Sequence, residues 1–199
     1  IQWGIVGVVG VVLVVLVVVA LTLPSEPAPA RRAAPSAAVA TRATQLELTV
    51  LPQRDDRSCG PTCLEAVYRY YGERVPLERI VEDVVAVPGG GTLAVWLACH
   101  ALRRGYAAEI YTYNLHLFDP TWFTGACDLR ERLLAQRRHK RSRALALATD
   151  GYLEYLELGG RLAFRELNRK LIRGILNRGQ PILTGLSATY LYECAREHE

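Results

Sequence analysis

Gln53-Arg-Asp-Asp-Arg-Ser-Cys59-Gly-Pro-Thr-Cys63-Leu64 is the stretch on which the reading of this chain turns. Its first half is polar and reads as a loop. Its second half opens a helix, because Pro61 costs nothing in a first turn whose N–H groups have no partner anyway. Leu64, Val67, Tyr68 and Tyr71 then recur at helical spacing until Gly72 ends the run. Cys59 is thus expected at a helix N-terminus, at the positive end of the helix dipole and among unpaired N–H groups. Such a position favours thiolate over thiol, and thiolate is the nucleophile. Gly60 is read as leaving room for a substrate backbone. Gln53, six residues upstream, is expected to aim its side-chain amide at an oxyanion forming over Cys59, beside the Cys59 backbone N–H. Removing one of two such donors costs about 10²–10³ in rate. The bland alternative for Cys59 is a buried cysteine at a helix start. Cys63, one turn further on, is expected to pack in the core.

Outward from this block, Gln45 to Val50 alternates polar and apolar and predicts a short strand. Pro76 predicts a second helix through Ile80 and Val84, and a third is expected over about 92–104, stopped by Gly105. Residues 106–113 predict a strand. Helical patterns cover about 126–140, 144–158 and 164–178, and 182–187 reads as a buried strand. Helices first and strands late argue for α+β and against an alternating parallel sheet.

Composition narrows the function. The chain has 199 residues, 50% apolar and 22% charged, which makes it a folded chain of about one domain. Its net charge of +4 is uneven: residues 1–45 carry three positives and one negative, residues 129–143 seven and one, and the rest sums to −4. A nucleic-acid partner is not indicated; one basic stripe, Arg130 to Arg143, is. Five cysteines are too few for a disulfide scaffold. Neither their spacing nor Gly89-Gly-Gly91 makes a zinc or phosphate motif, so no metal and no cofactor is expected. Trp3 to Leu23 is a 21-residue run without charge. As a helix it spans roughly 30 Å, a bilayer core. Residues 1–23 are therefore expected to form a transmembrane or signal-anchor helix, with the membrane met through residues 3–23. Residues 24–45, rich in Ala, Pro and Ser, are read as a linker, and 46–199 as the folded domain. An over-extended reading frame is the alternative, with a cytoplasmic domain as its consequence.

With these residues in place, the chain resembles the peptidase C39-like branch of papain-fold cysteine peptidases. The resemblance rests on Gln53, six residues to Cys59-Gly-Pro-x-Cys63-Leu, and an aromatic helix ending in Tyr70-Tyr71-Gly72. It extends through Gly91-Thr-Leu-Ala-Val-Trp-Leu97, Leu102-Arg-Arg-Gly-Tyr106, the strand to Tyr113, and Gln180-Pro-Ile-Leu-Thr184. It covers about residues 48–190. It implies a papain-like fold with a helical N-terminal part and a late antiparallel sheet. It implies acyl transfer on a peptide or protein substrate: cysteine attacks an amide, histidine moves protons, and an Asp or Asn orients the histidine. None of His100, His116, His139 and His198 stands where that family keeps its histidine. The expectation is therefore a domain truncated before the catalytic His and Asp, and inactive as it stands. A non-catalytic peptide-binding module and transfer to an acceptor other than water remain open beside it.

Overall fold

A computed structural model describes residues 18–23, 45–55, 58–87, 91–139 and 141–185. The helices follow the apolar periodicity. α1 spans Cys59–Tyr70, α2 Leu77–Asp83, α3 Ala94–Arg103, α4 Leu129–His139, α5 Arg143–Glu157 and α6 Arg169–Leu176. Gly72 and Gly105 end α1 and α3 with positive φ, a conformation that costs glycine nothing. Both match the reading of the sequence.

Among the described residues the sheet has four strands in the order β3-β2-β1-β4: β1 is Val18–Thr22, β2 Ala107–Thr112, β3 Arg161–Phe164 and β4 Ile182–Leu183. β1 pairs antiparallel with both neighbours, Val18 opposite Tyr111 and Val19 opposite Leu183. β2 and β3 run parallel, Glu109 opposite Arg161 and Thr112 opposite Phe164. Parallel neighbours need a long crossover, and here it carries α4 and α5. The Tyr155 hydroxyl of α5 fixes the joint. It accepts from the Ile110 N–H at 3.2 Å and lies 2.9 Å from the Ala108 carbonyl and 2.6 Å from that of Arg161.

α3 is the central helix. Val95 to Ala101 are all buried, and it packs on α1, α5, β1 and β2. The core gathers Val19, Leu21, Leu64, Tyr68, Ile110, Phe118 and Tyr155 around it.

The mixture of α and β stands, but four expectations change. The sheet is mixed and not purely antiparallel, and its inner strands come from residues 18–22 and 107–112, so it is not assembled late in the chain. Val18–Thr22 is a strand, where the sequence led to the end of a membrane helix over 3–23. An apolar run of β-branched residues suits a doubly paired inner strand as well as a helix, and here both edges find partners. Residues 1–17 lie outside the described residues, as do 24–44 of the expected linker. Among the described residues no helix is long and apolar enough to cross a membrane. Residues 45–50 form no strand; Leu48 packs against the core, which accounts for the alternation without strand pairing. Finally, the helix expected over 164–178 is split. Arg161–Phe164 is β3, and α6 begins only at Arg169 behind the Asn168 cap, whose side chain accepts from the Leu171 N–H.

Candidate active site

Cys59 is the first residue of α1 and is exposed. The turn that sets it there is closed by Asp55: the Ser58 N–H donates to Asp55 Oδ1 at 2.8 Å, and the Ser58 hydroxyl to the Asp55 carbonyl at 3.3 Å. The Ser58 carbonyl then accepts from the Thr62 N–H at 2.9 Å, the first bond of the helix. An Asp three residues ahead of the first helical bond thus fixes the chain's entry, while the Ser58 side chain caps no helical N–H. The nucleophile candidate therefore has the placement that the sequence predicts. A burial role for Cys59 does not hold.

Gln53 is also exposed, on the other side of the Asp55 turn. Its amide makes no hydrogen bond among the described residues, so the two predicted site residues share one loop-to-helix corner without a bond between them. Gly60 has a packing task that the sequence did not show. A Cβ there would come within 3.1 Å of Leu97 Cδ1 and 3.3 Å of Thr92 Cβ. The glycine lets α1 close on the start of α3 and on the stretch before it. Cys63 is exposed and does not pack in the core. Its thiol is pushed up, first by desolvation and then by the neighbouring Cys59. The two cysteines stand four residues apart on α1, one turn along the same face.

The histidines are placed elsewhere. His100 is 3% exposed, inside α3. Its Nδ1 lies 2.7 Å from the Tyr68 hydroxyl, and its Nε2 3.8 Å from Asp83 Oδ2. Tyr68 stands nine residues beyond Cys59 on α1, about 13 Å along the helix axis. Burial holds His100 below its ordinary value of 6.5, helped by Arg104 and opposed by Asp83, so the imidazole is neutral at neutral pH. His116 lies in the loop after β2, where its N–H donates to Asn114 Oδ1 at 3.0 Å. His139 is the exposed last residue of α4, and His198 lies outside the described residues. Among the described residues no histidine is hydrogen-bonded to Cys59.

Two features escaped the reading of the sequence. Tyr68 and His100 stand on separate helices, and only their fold-level meeting makes a buried polar pair; a histidine inside the apolar run Ala98-Cys-His-Ala101 was the available signal. Cys127, just ahead of α4, sits beside Arg132 and holds that guanidinium above its usual range. The basic stripe is partly neutralised: Arg130 pairs with Glu157 at 3.7 Å and Arg137 with Asp150. No group of three His, Cys, Asp or Glu side chains among the described residues is arranged to hold a metal ion. Comparison of the whole chain with protein-family models, with curated proteins and with solved structures found no match.

Proposed function

We propose that Cys59 is the nucleophile of a papain-like cysteine peptidase of the C39-like type, with Gln53 as oxyanion donor and a peptide bond as substrate. The observation that carries the reading is an exposed cysteine as the first residue of a twelve-residue helix. There the helix's unpaired N–H groups and dipole act on the sulfur. The Cys59 thiolate attacks the amide carbon, and the oxyanion is met by the Cys59 N–H and the Gln53 amide. In the C39-like reading a histidine supplies the proton that the leaving amine takes up, and water then hydrolyses the thioester.

The engagement of buried His100 by the Tyr68 hydroxyl, inside α3 and apart from the exposed Cys59, favours a second reading, a module of the same fold that grips peptides without cutting them. The test therefore reads nucleophilicity before turnover. The chain is incubated with a neutral peptide carrying a chloroacetamide on a central side chain, and the alkylated cysteine is located by peptide mapping. The expected result is that Cys59 is alkylated first, ahead of Cys63 and Cys127, and that Cys59→Ser removes the fast phase. Alkylation of Cys59 no faster than that of Cys63 would overturn the nucleophile. Peptide binding by the Cys59→Ala chain, without turnover by the native chain, would favour the binding module.

A further inference from the structure

An open-sided cavity of about 600 Å³ lies between residues 86–87, α4 and the start of α5. Ala86, Val87 and Leu147 give it an apolar lining, and its charged groups are Arg137, Arg143 and Asp150. Asp150 is already engaged. It accepts from Arg137 Nε at 2.5 Å and from Arg137 Nη2 at 2.8 Å, a two-pronged pair that cancels one charge against the other. Arg143 makes no side-chain hydrogen bond or ion pair among the described residues. Among the described lining residues, the exposed Arg143 is thus the guanidinium without a carboxylate partner, over an apolar wall, suited to a carboxylate carried on a short aliphatic stem.

The same cavity is tied to Cys59 through two short steps. Ala86 bridges to Thr92, and the Val87 N–H donates to the Gly91 carbonyl at 3.0 Å. Thr92 Cβ in turn lies 3.3 Å from the place a Cβ on Gly60 would take. One side of this ribbon lines the cavity while the other touches the residue after Cys59. Paired strands put facing residues about 5 Å apart, so this ribbon sets about one strand spacing between the cavity wall and the stretch that meets Gly60.

We propose that this cavity receives an acidic side chain of the peptide substrate, Asp or Glu, flanking the bond presented to Cys59, and that Arg143 pairs with its carboxylate. The inference rests on the nucleophile reading of Cys59 and adds a substrate class to it. It is tested with the whole chain and two peptides, each carrying a chloroacetamide on a central side chain. One has Glu at each position from about two to about five residues to either side, and the other has Gln at the same positions. The thiolate displaces chloride in both, so the reacting chemistry is the same. The Glu peptide is expected to alkylate Cys59 about five- to tenfold faster than the Gln peptide at low salt. Arg143→Gln should bring the two rates together, and Arg143→Lys should keep part of the difference. Equal rates with rapid Cys59 alkylation by both peptides overturn this inference and leave the nucleophile standing. A preference for Glu that survives Arg143→Gln also overturns it. Cys59 no more reactive than Cys63 towards either peptide overturns the nucleophile, and the subsite falls with it.

Discussion

His100 has no part in the chemistry assigned to Cys59, but it makes the stability of the molecule depend on pH. The groups around it are the Tyr68 hydroxyl, Asp83, Glu73 and the guanidinium groups of Arg103 and Arg104. Desolvation outweighs the two carboxylates, so the folded state takes up a proton at lower pH than the unfolded chain does. Below the unfolded value of 6.5 the unfolded state therefore binds more protons, and stability falls as pH drops from there towards the folded value. Above 6.5 the contribution is fully present. His100→Gln keeps a hydrogen-bonding partner for Tyr68 and cannot titrate. The urea midpoint of the native chain should drop between about pH 7.5 and about pH 5.5 by more than that of the variant. An identical drop in both would place the acid sensitivity elsewhere. At this scale the sequence was informative where chemistry is local. The exposure of Cys59 follows from a helix start written in five consecutive residues. The capture of His100 does not, since Tyr68 and Asp83 reach it from other elements. The role of Gly60 was hidden for the same reason: Thr92 and Leu97 approach it across the fold.

Among the elements, β1 decides how the N-terminal segment is to be understood. Leu21 is fully buried in the main core, and its carbonyl accepts a hydrogen bond from the Tyr71 hydroxyl beyond the end of α1. Leu21→Ala should lower the unfolding free energy of the domain by about 2–5 kcal/mol, the cost of a buried large-to-small change. The measurement is urea denaturation followed by the tryptophan fluorescence of Trp96, which lies in the same core. If residues 3–23 were instead a helix held in lipid apart from the domain, the same change would leave the midpoint unmoved. The physical source of the ambiguity is plain in the residues. Val18-Val-Ala-Leu-Thr22 continues a long valine run, and burial on every side erases the period that separates helix from strand. β3 was missed for the opposite reason. Four residues, Arg161-Leu-Ala-Phe164, carry too short a pattern to stand out from the helix-like one after them, and their parallel partner is β2, on the far side of two helices. Most of the helices were legible, because their spacing of apolar residues and, for α1 and α3, their terminal glycines are written locally.

Over the whole molecule, the sheet is stitched from four segments that lie far apart in the chain, and β1 sits between β2 and β4. Without it, β4 has no neighbour among the described residues, and β2 keeps β3. β1 also brings Val19 and Leu21, both fully buried, and burial of such side chains is worth about 1.5–3 kcal/mol each. The strand is therefore held by contacts with the rest of the fold, and not only by its covalent connection through residues 24–44. This predicts the outcome of a single cut. With a specific protease site placed between Arg31 and Arg32, cleavage of the folded chain should leave the N-terminal piece bound, co-eluting with the remainder on size exclusion. The two should separate only when urea unfolds the domain. The cut also converts β1 pairing into a bimolecular step, so the midpoint of unfolding should become dependent on protein concentration. Release of the N-terminal piece under native conditions, with the remainder still folded and its midpoint unchanged, would remove β1 from the sheet and return residues 18–22 to a segment independent of the domain.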